Sequence, residues 1–271
     1  MSALPPDGPV WPVLGIAEQI ARLEALPGAV GAAASRRYGD PASSPLLVWI
    51  HGGGFLGGDL DMPESDAVGR GLADRGVAVL ALDYRKALHG VRHPAPVDDV
   101  EEGWREALTL AERPFLGGAS AGGALATALA LRLRGGDEPR GLILLYPTLH
   151  ADLPPDAALE ELMAPVAAHR RFPRPFVRAM HENYAGAAVD DPAATPGLHD
   201  GTGLPPLLIV NSEYDDLRAS GEAFAATVAA AGGVVESVME PGTYHGHLNE
   251  PDRPGFAATL DRLAAWMRRA T

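Results

Sequence analysis

The chain has 271 residues, 46% hydrophobic and 21% charged, a composition that excludes disorder, collagen and coiled coil and suits one globular core. It contains no cysteine, which excludes disulfides, thiolate zinc sites, iron–sulfur clusters and cysteine nucleophiles. A formal charge of -13 opposes attraction to a phosphate backbone, so no nucleic-acid partner is expected.

The opening MSALPPDGPVWP has neither a basic start nor an apolar run of about 7 to 15 residues, so no secretory signal is read and a cytoplasmic location is expected. Short apolar runs follow at 45–50, 77–83, 114–118, 141–147 and 205–211, the pattern of strands buried on both faces. All fall well short of the ~20 residues of a membrane helix, so no membrane span is expected. Between them, 61–75, 97–112, 120–134 and 215–231 place apolar residues at helical spacing. This alternation predicts an α/β fold, with a mostly parallel central sheet, helices on both faces and right-handed crossovers. The proline-rich stretch 150–200 has no strong strand and one helical segment at 176–186; it reads as a lid over one end of the sheet. A final helix carries Phe256, Leu260, Leu263 and Met267 on one face and closes the sheet. The expected organisation is a single domain, 1–271, with cap or lid segments at 1–40 and 150–200.

The sharpest chemical signal is Gly118-Ala119-Ser120-Ala121-Gly122, a G-x-S-x-G between a strand and a helix. A serine in so tight a corner needs small neighbours on either side, and the corner exposes its hydroxyl at the carboxyl end of a central strand. A second signal, His51-Gly52-Gly53-Gly54-Phe55, directly follows the first apolar strand. Such a loop can turn two backbone N–H groups toward a developing oxyanion, with Ala121 supplying a third. Its rival, a phosphate-cradling loop, lacks the Gly-Lys-Ser/Thr that the chemistry needs.

A nucleophilic serine requires a base and an orienting acid, in the order Ser, Asp or Glu, His. Asp215 follows the strand PPLLIVN and His245 follows the strand VVESVME. Asp216 competes with Asp215, and His247 with His245; Asp215 and His245 are preferred, with His247 lining the pocket. His245 and His247 alone make too few ligands for a metal site. His51 is expected to hold the glycine loop in shape. Lys86, the only lysine, reads as surface charge, and Asp98 and Asp99 as caps of the following helix. Trp49 and Trp104 are expected in the core, while Phe55 sits where it could touch ligand. His150, His169, His181 and His199 read as surface or partly buried, and Glu101, Glu102, Glu160 and Glu161 as solvated helix faces.

HGGGF, GGASAGG, DYR, YP, SEYDDLR and YHGH, in this order and spacing, resemble the hormone-sensitive-lipase-like family of α/β-hydrolase esterases from about Pro45 onward. The resemblance implies a triad of Ser120, Asp215 and His245 and an oxyanion hole from Gly52, Gly53 and Ala121. It also implies hydrolysis of small acyl esters with no cofactor and no metal. The expected assembly is a monomer or homodimer. The sequence departs from the family at Ala119, where an acidic residue is common, and at His247, where phenylalanine is frequent. The region before the glycine loop is also short for the family. Two competing readings are an amide hydrolase of arylformamidase type and a non-catalytic receptor on the same scaffold.

Overall fold

A computed structural model describes residues 15–270. In chain order its elements are α1 (Ile16–Glu24), β1 (Ala34–Tyr38), β2 (Leu46–Ile50), α2 (Pro63–Ala73), β3 (Ala78–Asp83), α3 (Ala95–Leu110), β4 (Phe115–Ala119), α4 (Ala121–Arg132), β5 (Leu142–Leu145), α5 (Ala157–Met163), α6 (Arg174–Ala185), β6 (Leu207–Tyr214), α7 (Arg218–Ala230), β7 (Val235–Tyr244) and α8 (Pro254–Ala270). The described strands form one sheet in the order β1-β3-β2-β4-β5-β6-β7. Only β1 runs antiparallel to its neighbour.

The apolar runs are continuous because each inner strand feeds two cores at once. Val48, Ile50, Leu80, Leu116 and Ile209 face one side, packed with Trp104 of α3, Leu125 and Leu129 of α4 and Phe224 of α7. Leu47, Trp49, Val79, Ile143 and Val210 face the other, against Val68 and Leu72 of α2 and Leu260, Leu263 and Met267 of α8. Residues 121–130 of α4 are buried all round, as expected of a helix pressed on the middle of the sheet.

Three expectations change. Residues 1–14 of the expected 1–40 cap lie outside the described residues, and the rest divides. α1 packs Ile16, Ile20 and Leu23 onto the core, whereas β1 is an edge strand of the sheet. Its sequence, ASRRY, is half exposed and carries no apolar run, which is why periodicity passed over it. Asp98 and Asp99 do not cap α3, because the helix begins at Ala95, two residues earlier than predicted, with Pro96 in its first turn. Asp99 instead grips Arg85, accepting its backbone N–H at 2.8 Å and its Nη2 at 2.7 Å, and Asp98 pairs with Arg132 of α4 at 2.8 Å. His181, read as surface or partly buried, is wholly enclosed.

That enclosure sets an acid limit on stability. Burial pushes both His181 and His247 down to about 3. In the unfolded chain they protonate near pH ~6.5, so below that value the unfolded state binds more protons than the folded one. Stability is therefore expected to hold above about pH 6.5 and to fall toward pH ~3, by up to about 2.7 kcal/mol per pH unit for the pair. Urea unfolding at several pH values measures the slope. His247→Gln should remove about one proton's worth, and an unchanged slope would count against this account.

Candidate active site

β4 ends at Ala119 and α4 begins at Ala121, which leaves Ser120 alone at the corner with φ 51 and ψ -117. Few residues other than glycine occupy this region, so neighbouring structure must hold it there. The Ser120 N–H donates to the carbonyl of Leu145 at 2.9 Å, and the Ser120 carbonyl accepts the Gly123 N–H at 3.0 Å. Close packing explains the flanking glycines. A Cβ on Gly118 would lie 2.4 Å from the Gly122 carbonyl oxygen, and one on Gly122 would lie 2.1 Å from the Ile50 carbonyl oxygen.

β6 and β7 deliver the partners to the same carboxyl edge. His245 Nδ1 lies 2.7 Å from Asp215 Oδ2, and His245 Nε2 lies 2.9 Å from Ser120 Oγ. An ionised carboxylate can only accept, so Nδ1 carries the proton and donates to Asp215, leaving the Nε2 lone pair to accept from the serine hydroxyl. Asp215 is fully buried, and its Oδ1 accepts the Leu217 N–H at 2.9 Å. Phe172 and Tyr146 flank the imidazole, with ring centroids at 4.5 and 5.0 Å.

The two alternative residues have other partners. Asp216 clamps Arg171, at 2.9 Å from both Nε and Nη2, and accepts the Phe172 N–H at 2.7 Å, which seats Phe172 against His245. His247 is buried between Ser212 Oγ and Thr259 Oγ1, each at 2.9 Å. It is therefore a brace behind the site and does not line the pocket as expected.

The glycine loop requires a further correction. The Gly52 N–H, expected among the oxyanion donors, donates to Glu64 Oε1 at 2.5 Å. The N–H groups of Gly53 and Gly54 donate to no acceptor among the described residues, and both glycines line the pocket beside Ser120. Gly53, at φ 107, has room for no side chain: a Cβ would lie 2.2 Å from the Gly57 carbonyl oxygen. Ala121 opens α4, so its N–H has no partner one turn earlier and sits at the positive end of the helix dipole. Glu64 itself escaped the sequence reading, since a glutamate in the first turn of a helix is already explained by that dipole. Its Oε2 accepts the Tyr146 hydroxyl at 2.6 Å, so one buried carboxylate ties the glycine loop to the residue flanking His245. Burial and the Glu64 charge hold the Tyr146 phenol above its usual range, so it stays a donor.

Ser120 and His245 open into a pocket of about 340 Å³. Its apolar wall comes from Leu56, Met62, Phe172, Phe176, Met180 and Leu217, and Gln19 of α1 also lines it. Arg170 and Glu250 also line it, 3.7 Å apart. Phe55, expected to touch ligand, is fully buried and stacks on Tyr184 with centroids 4.0 Å apart. Its φ of 63 turns the side chain away from the cavity and leaves Leu56 facing it.

The alpha/beta hydrolase fold family matches residues 47–249. The chain is 31% identical over 245 residues to carboxylesterase NlhH of Mycobacterium tuberculosis, covering 83% of this chain and 74% of that protein. It superposes with a TM-score of 0.75 on EstE1, a thermophilic and thermostable carboxylesterase cloned from a metagenomic library, at 26% identity over 93% of this chain and 94% of the other. An esterase from the bacterial hormone-sensitive lipase family shares the fold with a TM-score of 0.73 and 24% identity, over 93% and 89% of the two chains. The chain belongs to the alpha/beta hydrolase fold family, and the relative it matches at 31% identity there is a carboxylesterase.

Proposed function

We propose that this protein is a serine carboxylesterase that cleaves small acyl esters through an acyl-enzyme on Ser120. The observation that carries the reading is the unbroken chain from Asp215 through His245 to Ser120, at 2.7 and 2.9 Å. Ser120 Oγ attacks the ester carbonyl carbon while its proton passes to His245 Nε2, and Asp215 holds the resulting imidazolium. The carbonyl oxygen gains negative charge and is received by the N–H groups of Gly53, Gly54 and Ala121. His245 then returns its proton to the leaving alcohol. Water repeats the sequence on the acyl-serine, releasing the acid and restoring the hydroxyl. No step requires a metal or an organic cofactor. A receptor would have no use for a serine poised against an oriented imidazole.

A fluorophosphonate probe should label Ser120, and p-nitrophenyl acetate should turn over. Failure of both would sink the enzyme reading in favour of a receptor. Faster cleavage of an N-formyl aryl amide than of the matching ester would assign the amide-hydrolase alternative instead. The cavity lies at the small end of ligand sites, so kcat/KM is expected to fall by about tenfold or more from butyrate to laurate esters. A flat chain-length series would contradict that limit.

A further inference from the structure

Lys86 is the only lysine of the chain and is 3% exposed. Burying an ammonium is costly, and here the cost serves nothing in the pocket, since Lys86 is not among the residues lining it. Its backbone is pinned on both sides. The Lys86 N–H donates to the Val30 carbonyl at 2.7 Å, and the Ala87 N–H donates to the Phe55 carbonyl, at the end of the glycine loop, at 2.8 Å. The ammonium donates to Asp83 Oδ1 and, at 2.7 Å, to the Tyr84 carbonyl, and lies 4.0 Å from the centre of the Tyr84 ring. The same Asp83 Oδ1 lies 3.0 Å from His51 Nε2. Lys86, Asp83 and His51 thus form one buried chain that ends beneath the glycine loop.

The loop end of that chain bears on catalysis. His51 Nδ1 donates to the Gly52 carbonyl at 2.7 Å, and the Tyr84 hydroxyl, whose ring stacks on His51, donates to the same oxygen at 3.1 Å. The Gly52 carbonyl and the Gly53 N–H belong to one planar trans peptide and point in opposite directions. Drawing the carbonyl inward toward His51 and Tyr84 therefore aims the Gly53 N–H outward. Donors on the carbonyl also polarise the peptide and strengthen the N–H as a donor.

We infer that Lys86, acting through Asp83 and His51, is a positioning residue that holds the Gly52–Gly53 peptide with its N–H aimed at the oxyanion. The inference rests on the esterase reading and concerns only how the oxyanion hole is held. Without Lys86, Asp83 loses its cation and keeps the Tyr84 N–H at 2.8 Å, so His51 is held less firmly and the Gly52–Gly53 peptide leans more on the Tyr84 hydroxyl. The chemistry should suffer while ground-state binding, made by the apolar wall, should not.

The test compares wild type, Lys86→Met, Asp83→Asn and the double variant on p-nitrophenyl acetate, with thermal midpoints measured alongside. Two inhibitors sharpen it: a trifluoromethyl ketone, which forms a tetrahedral oxyanion on the serine, and the corresponding methyl ketone, which does not hold one as readily. Lys86→Met is expected to lower kcat by about tenfold or more, short of the full loss of an oxyanion donor, with KM within about twofold. Affinity for the trifluoromethyl ketone should fall by the same factor and that for the methyl ketone should not. The double variant should be no slower than the slower single one, since the two residues act as a unit. Because an unpaired buried carboxylate can unfold a protein, the double variant, which removes both charges, carries the test if Lys86→Met does not fold. An unchanged kcat, equal losses for both ketones, multiplicative effects, or loss of fold in the double variant would each overturn the inference. Ser120→Ala separates the two readings. If it retains turnover the acyl-enzyme on Ser120 fails, and if it is inactive while Lys86→Met is fully active only the role of Lys86 fails.

Discussion

Ser120→Ala is expected to lower kcat toward p-nitrophenyl acetate by on the order of 10⁴ to 10⁶, because the covalent route disappears and only oxyanion binding and orientation are left. Stability should hardly change. Alanine meets the same backbone at φ 51 and keeps the bonds from the Ser120 N–H to Leu145 and from Gly123 to the Ser120 carbonyl. What is lost is one partly buried hydrogen bond, from the hydroxyl to His245, of roughly 1 kcal/mol, or about 2 to 4 °C in a chain of this size. Steady-state kinetics and calorimetry on the same sample check both halves. Activity above about a hundredth of wild type would show that another group supplies the nucleophile.

Gly122→Ala is expected to act on the fold, destabilising it by about 4 kcal/mol or more. The added Cβ would sit 2.1 Å from the Ile50 carbonyl oxygen and 2.4 Å from that of His51, both backbone atoms of the segment that runs into the glycine loop. α4 could relieve the clash only by sliding off β2, taking the Ala121 N–H with it. Gly136→Ala is the control. Its nearest neighbour is the Leu133 carbonyl oxygen at 3.7 Å, so the change should stay within about 1 kcal/mol. Urea unfolding of both variants measures the contrast, and a loss below about 1 kcal/mol at Gly122 would mean that the helix is free to adjust.

The parts of the site that could be read from the chain were those whose constraints are local. The five residues around Ser120 carry their own geometry, because Gly118 and Gly122 are needed wherever a strand turns sharply into a helix. Asp215 and His245 were readable one level further out, since each follows an apolar strand and strand ends of a parallel sheet share an edge. The choice of Asp215 over Asp216 turned on which way two adjacent side chains point. Asp215 turns inward to His245, and Asp216 turns to Arg171 and the segment bearing Phe172.

Misplaced residues failed for a related reason. Phe55 and His247 stand in the right segments, but positive φ at one and a Ser212–Thr259 slot for the other send both side chains behind the pocket. Glu64 and Lys86 each had a sufficient explanation from their own neighbourhood, a helix dipole and a solvated charge. Their actual partners lie far away or face inward: Gly52 is 12 residues from Glu64 and Tyr146 is 82.

Alternating apolar runs, the order of the strand ends and the corner at Ser120 were properties of chain neighbours, so hydrophobic periodicity and backbone sterics sufficed to specify the α/β architecture and the strand-to-helix turn that carries Ser120. Which glycine amide is left without a protein acceptor depended on a carboxylate arriving from α2 to claim the Gly52 N–H, and the surroundings of His51 on a buried lysine paired with Asp83. Such assignments come from polar groups that must find partners once water is removed, and those partners exist only after distant segments have packed together.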